Sequence, residues 1–258
     1  MKKNNGFTTR NKRIFAGSGA LICTILLIYV FFFRTDPVIK EGRNYLHEQS
    51  QLKIEDIASK LQTRKRDELK AMLDNGSIDI LSVFNDFALF GDSRAYGFSS
   101  YGLLDPNWVL AGAGNTIMNI TDQKDLIASA KPSKLIFSYG VNDMGLNIGG
   151  EEENGYSKTY EQQIDQILEV DPDAQVFVCS IIDVTQEAKD RSPNWTKAKQ
   201  WNEQLKSMCE KRGWTFVDND NLGTDLSHYQ EDGVHFTSEF TEQWAKNIGS
   251  VMWEKIYG

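Results

Sequence analysis

From Ile78 onward, short apolar runs alternate with amphipathic stretches. The apolar runs Phe87–Phe90, Trp108–Ala111, Lys134–Tyr139, Gln175–Ile182 and Trp214–Val217 predict β-strands. Helical periodicity marks 120–130, 157–170, 194–212 and 237–257. A strand-helix alternation of this kind predicts a parallel sheet covered on both faces. The N-terminal third has a different pattern. Residues 38–73 are charged and helix-favouring, with Ile54, Ile57 and Leu61 at helical spacing, and Asn75-Gly76 reads as a helix stop. No heptad persists, so a solvated helical stalk is favoured over a coiled coil. Before it, residues 14–33 form an uncharged run of twenty. As a helix the run would span about 30 Å, the thickness of a bilayer core.

Charge sharpens that division. Residues 1–34 carry six basic side chains and no acidic one, leaving 22 basic and 36 acidic in the remainder, a net of −14. The basic flank predicts a cytoplasmic N-terminus and an outward-facing body. The run ends in Tyr29-Val-Phe-Phe-Phe33 rather than small residues, which favours an uncleaved signal anchor over a cleaved signal peptide. The expected organisation is therefore a tail at 1–13, an anchor at 14–33, a juxtamembrane stalk at 34–80 and a single domain at 81–258. The body's negative field argues against nucleic acid as a partner. Composition otherwise reads as globular, with 40% hydrophobic and 25% charged residues. Cys23, Cys179 and Cys209 give no paired framework and are read as buried thiols. No Cys/His spacing suits a metal, and neither metal nor cofactor is expected.

In parallel α/β sheets ligands bind beyond the carboxyl ends of the strands, and polar residues gather there in this chain. Gly91-Asp92-Ser93 follows the first strand and leads into a helix beginning near Arg94. A Ser at a helix start lies close to backbone N–H groups that can face a developing oxyanion, with Asp92 shaping the turn or capping the helix. The second strand runs into Gly112-Ala-Gly114-Asn115-Thr116, and the third into Gly140-Val141-Asn142-Asp143. A glycine there lets backbone approach a substrate, and an Asn amide can donate to an oxyanion. Asp232-Gly-Val-His235 follows the last strand, three residues separating the carboxylate from the imidazole it could orient. Thr237 is placed to cap the final helix. His228 is read as a loop or rim residue, and His47 in the stalk is given no role.

Gly91-Asp92-Ser93, Gly114, Gly140-Val141-Asn142-Asp143 and Asp232-Gly-Val-His235 together resemble the four signature blocks of the SGNH/GDSL hydrolase family, in the family's order, over residues 81–258. The resemblance implies a flavodoxin-like three-layer α/β/α sandwich with a parallel sheet of about five strands. It implies ester hydrolysis or acyl transfer through an acyl-serine, with Ser93 as nucleophile, His235 as general base and acid, and Asp232 orienting it. The Ser93 and Gly114 N–H groups and the Asn142 side chain would form the oxyanion hole. Arg94 stands where the longer GDSL form has Leu, so lipase-specific properties are not carried over. O-acetyl groups on cell-surface carbohydrate are the expected substrate, with Tyr96, Tyr101, Trp108 and Trp195 as candidate sugar-stacking residues beside the alternative of ordinary core packing. A carbohydrate O-acetyltransferase, a lipid-directed hydrolase and a non-catalytic surface binding domain are the competing readings.

Overall fold

A computed structural model describes residues 22–30, 36–51, 54–222 and 225–258. They divide into two units, Met1–Lys65 and Arg66–Gly258. In the first unit, helix α1 covers Pro37–Gln51. Helix α2, Ile54–Asp74, ends just before Asn75-Gly76. There Gly76 takes φ +73° and the Ser77 N–H closes onto the Met72 carbonyl at 2.8 Å, a terminus that satisfies the last helical carbonyls. Most of the expected anchor lies outside the described residues. Its part at 22–30 is an exposed helix, and no helix among the described residues is long and apolar enough to cross a membrane.

The second unit is built on five parallel strands: β1 Phe87–Gly91, β2 Val109–Ala111, β3 Lys134–Ser138, β4 Gln175–Cys179 and β5 Thr215–Val217. Their order, β2-β1-β3-β4-β5, is that of the flavodoxin-like doubly wound sheet. The sequence makes both faces apolar because strand side chains alternate. Ala88, Phe90, Leu135, Phe137, Val176 and Val178 lie in one core cluster. Phe87, Leu89, Ile136, Phe177, Cys179 and Val217 lie in the other.

Helices α4 (Lys124–Ala130), α6 (Gly155–Leu168) and α8 (Ala198–Arg212) cover the first face, through Ile127, Tyr156, Tyr160, Ile164, Trp201 and Leu205. Helices α3 (Ser93–Ser100) and α9 (Ser238–Tyr257) cover the second, through Ala95, Phe98, Phe240, Trp244, Ile248 and Met252. The result is a three-layer α/β/α arrangement. Each of the Leu, Ile, Phe and Met side chains among them, taken fully from water, contributes about 1.5–3 kcal/mol before the entropic cost of ordering it. Between the faces the backbone is tight at one place that matters for the site. A Cβ on Gly91, the last residue of β1, would stand 2.3 Å from the Ala95 Cβ and 2.8 Å from the Ser138 carbonyl. Only glycine lets β1 turn directly into α3 there.

Several boundaries differ from the pattern-based expectation. The fourth strand stops at Cys179 rather than Ile182. Side chains replace a neighbouring strand beyond that point: Asn202 Oδ1 accepts the Ile181 N–H at 2.7 Å and its Nδ2 donates to the Ile181 carbonyl at 2.9 Å. Asn219 holds Ser180 differently, its backbone N–H donating to Ser180 Oγ and its Nδ2 to the Ser180 carbonyl, both at 2.9 Å. The helix expected at 120–130 begins earlier, as a 3-10 turn over Ile117–Gln123, because Thr116 and Asn119 form a reciprocal capping box. Pro193 likewise opens a 3-10 turn before α8. Two short helices, α5 (Val141–Gly145) and α7 (Gln186–Arg191), were not expected. They are too short to show an apolar stripe.

Candidate active site

Ser93 is the first residue of α3, at the carboxyl end of β1 and beside the point where strand order reverses. Asp92 caps the helix: its Oδ1 accepts the Arg94 N–H at 2.9 Å and its Oδ2 accepts the Val141 N–H at 3.3 Å. Burial pushes the Asp92 carboxyl up, while the Arg94 charge and these N–H donors act in the opposite direction. Lying in the first turn, the Ser93 N–H has no intrahelical acceptor.

His235 sits three residues before α9, in a loop fastened from several sides. The Gln230 N–H donates to the His235 carbonyl at 2.8 Å and the Thr185 N–H to the Gly233 carbonyl at 3.0 Å. Arg191, on α7, donates to the Asp232 carbonyl. Within the loop, Asp232 Oδ1 accepts the N–H groups of Val234 (2.8 Å) and His235 (2.9 Å), so the carboxylate is oriented by its own turn. Asp232 Oδ2 lies 2.5 Å from His235 Nδ1, and His235 Nε2 lies 2.8 Å from Ser93 Oγ.

The proton positions follow from the carboxylate. Partial burial pushes the Asp232 carboxyl up, but hydrogen bonds from the His235 ring, the His235 N–H and the Val234 N–H outweigh it and hold the group at about 2. Asp232 is therefore an acceptor at neutral pH, which places a hydrogen on Nδ1; in the tautomer with Nε2 bare, that nitrogen accepts from the Ser93 hydroxyl. The structure thus joins Ser93, His235 and Asp232 in one directed chain.

Asn142 and Gly114 come from the neighbouring turns. Gly140 starts α5 at φ +149°, and a Cβ there would strike Ile181 at 2.4 Å. This tight turn brings Asn142 just past the end of β3. Asn142 Nδ2 donates to the Asn115 carbonyl at 2.9 Å, using one of the two N–H groups an amide offers. Asp143, fully buried, accepts the Ile117 N–H at 2.9 Å. Burial raises its carboxyl to about 7, despite that hydrogen bond. Consecutive residues of α5 therefore hold Asn115 and Ile117, just after Gly114, which is itself exposed at φ +76°.

A cavity of about 310 Å³ opens beside Ser93 and His235, lined also by Tyr96, Tyr101 and Gln230. Tyr96 is 51% exposed and Tyr101 39%. Of the four aromatic candidates, only these two line this cavity. Trp108 packs against the core, and Trp195 is held by its indole N–H on the Val141 carbonyl at 2.8 Å. A larger cavity of about 420 Å³ lies beyond β4 and β5, among Asp183, Asn202 and Asn219, and contains no member of the chain.

The spacing of three is not unique to His235, since Asp225 stands three residues before His228. Asp225 instead caps a 3-10 turn by accepting the Ser227 N–H, and the His228 ring stacks on Phe240 at 4.5 Å. Cys179 and Cys209 are buried, which pushes both thiols up to about 12. Cys23 is exposed, contrary to expectation. Among the described residues no group of His, Cys, Asp and Glu could hold a metal ion.

Residues 89–241, more than half of the chain, match the profile of the GDSL-like Lipase/Acylhydrolase family. Similar solved structures include a lipase/acylhydrolase from Enterococcus faecalis, with 18% identity, 67% of this chain and 95% of that chain covered, and a TM-score of 0.51. A carbohydrate esterase family 3 structure from Talaromyces cellulolyticus has 18% identity, covers 66% of this chain and 97% of that chain, and gives a TM-score of 0.50. At this identity the likeness is one of fold. No curated protein matches the chain significantly.

The depressed Asp232 carboxyl makes the stability of the fold depend on pH. A carboxyl depressed in the folded state contributes stability above its ordinary value of 3.8, and that contribution is lost as pH falls toward about 2. The thermal midpoint of the wild type minus that of Asp232→Asn is expected to shrink between pH 4 and pH 2. A difference that stays constant across this window contradicts the assigned charge state.

Proposed function

The chain belongs to the GDSL-like lipase/acylhydrolase family, and on that premise we propose that it is a membrane-tethered, outward-facing serine esterase that removes O-acetyl groups from carbohydrate. The observation that carries the reading is the chain of contacts from Ser93 Oγ to His235 Nε2 at 2.8 Å and from His235 Nδ1 to Asp232 at 2.5 Å.

In the proposed reaction Ser93 Oγ attacks the ester carbonyl carbon while its proton passes to His235 Nε2. The imidazolium is stabilised by the ionised Asp232, which stays a carboxylate throughout. Negative charge on the carbonyl oxygen is met by the Ser93 and Gly114 N–H groups and by the second N–H of the Asn142 amide. Collapse of the tetrahedral intermediate breaks the bond to the alcohol oxygen, which takes the proton from His235. Water then attacks the acyl-serine with the same groups acting in reverse order, releasing acetate and restoring Ser93.

Carbohydrate is supported by the exposed Tyr96 and Tyr101 faces beside Ser93 and His235. A flat amphipathic ring suits the apolar face of a sugar, and nearby Gln230 adds polar groups. One fold neighbour is named a carbohydrate esterase. Tethering is supported by the uncharged run at 14–33 and its basic flank. A site held away from the cytoplasm meets surface polymers.

Acetate release from a panel of acetylated polysaccharides tests the reading. Ser93→Ala and His235→Ala are each expected to lower kcat by about 10³-fold or more. Tyr96→Ala is expected to raise KM on the polysaccharide by about 5-fold, the worth of a modest stacking contact, while leaving p-nitrophenyl acetate hydrolysis unchanged. Full activity in Ser93→Ala removes the nucleophile assignment, and equal effects of Tyr96→Ala on both substrates remove the sugar subsite.

Tethering is tested separately. The full chain is expected to stay with carbonate-washed membranes, and a chain lacking residues 1–33 to leave them. Release of the full chain by carbonate rules out the anchor.

A further inference from the structure

We infer that Arg94 is a positioning residue: it fastens the helix that presents Ser93 to the loop that presents His235, and thereby sets the separation across which the proton moves. The inference rests on the reading of Ser93 and His235 as nucleophile and base, and adds a residue whose type that reading does not require.

Arg94 directly follows Ser93 and is only 5% exposed. Its guanidinium is spent on three backbone carbonyls. Nε donates to the Val234 carbonyl at 2.8 Å, Nη1 to the Ile182 carbonyl and Nη2 to the Asp183 carbonyl at 3.3 Å. Its Cζ lies 4.6 Å from the centroid of the Phe236 ring. Val234 and Phe236 are the two residues that flank His235. The side chain next to the nucleophile thus grips the base's loop on both sides of the base.

The carbonyls of Ile182 and Asp183 supply the third corner. They belong to the segment after β4, which also bonds Tyr229 through the Asp183 carbonyl at 2.9 Å. Helix α3, the strand-end segment and the His235 loop therefore meet on one planar fork. A guanidinium offers several rigidly arranged N–H groups and a face that stacks on an aromatic ring, which an ammonium does not. Hydrogen bonds from a charged donor are also roughly twice as strong as neutral ones.

A buried cation needs counter-charge; Asp92, on the other side of Ser93, acts on Arg94 in that sense together with Asp183 and Asp232. Asp92 is 3% exposed and bonds the Val141 N–H, the residue before Asn142. The two neighbours of Ser93 hold, respectively, the base loop and the turn that bears the oxyanion amide. A shift of about 1 Å between reacting groups can cost on the order of 10²-fold in rate, so a linkage of this kind acts on kcat rather than on substrate affinity. An arginine that served only the fold would instead alter stability and leave the kinetics of the folded fraction intact.

The test compares full-length wild type, Ser93→Ala, Arg94→Lys and Arg94→Leu in p-nitrophenyl acetate hydrolysis, fluorophosphonate labelling rate and thermal unfolding. Arg94→Lys keeps the charge opposite Asp92 but loses the fork. It is expected to unfold cooperatively, with kcat and labelling rate lowered together by about 10- to 100-fold and KM within about 2-fold of wild type. Arg94→Leu is expected to lose at least as much rate and to unfold at a lower temperature. The inference is overturned if Arg94→Lys has wild-type kcat, if it raises KM at unchanged kcat, or if it no longer unfolds cooperatively. If wild type is no more active than Ser93→Ala, the underlying site reading fails and Arg94's role falls with it. If wild type is active and Arg94→Lys matches it, only the Arg94 inference fails.

Discussion

The hydrogen bond of 2.8 Å between Ser93 Oγ and His235 Nε2 joins residues 142 positions apart. No local preference can hold such a contact, so the sheet and its covering helices must. Ser93 opens α3, and His235 lies three residues before the start of α9. Both helices pack on the same face of the sheet, where Phe98 and Trp244 meet at 4.6 Å and Phe236 and Phe240 fill the space beside them. The apolar core under the two helices brings their N-terminal ends together. Gly91 then allows the backbone to turn from β1 into α3 without a side chain between β3 and the helix. Packing brings the two ends close; the polar bonds around Asp92, Arg94 and Asp232 fix the remaining distance.

Those polar bonds also separate the site's carboxyls by function. Asp232 is half-exposed and receives three hydrogen bonds, which hold it ionised. Asp143 is fully buried, and burial raises its carboxyl to about 7 although the Ile117 N–H donates to it. The first can stabilise an imidazolium, whereas the second can only hold a turn. Environment rather than residue type makes the difference. The same rule applies to the histidines. His228 also has an Asp three residues before it, but that carboxylate caps a backbone turn and the ring lies on Phe240.

Much of this was legible in the sequence, and the parts that were not share a cause. The five strands could be located from their apolar runs, and the rule that ligands gather at carboxyl ends drew attention to Ser93, Gly114, Asn142 and His235. Asp92 and Thr237 could be assigned as caps because a capping bond spans two or three residues. The end of β4 could not be located, because it depends on an Asn202 side chain 21 residues away. Arg94 was unassignable for the same reason on a larger scale, its partners lying 88 to 140 residues away. A buried arginine leaves no periodicity. Trp195 has the aromatic type of a sugar platform, but its N–H is bound to the Val141 carbonyl, a contact 54 residues away in sequence. Aromatic type alone does not separate a packing residue from an exposed one such as Tyr96.

In the proposed reaction Ser93, activated by His235, forms the covalent acyl-enzyme. Peptide mapping by mass spectrometry of the full chain after reaction with a fluorophosphonate tests it most directly. A single adduct is expected on the peptide containing Ser93, with none in Ser93→Ala and strongly slowed formation in His235→Ala. An adduct on another residue, or equal labelling of Ser93 without His235, would contradict it.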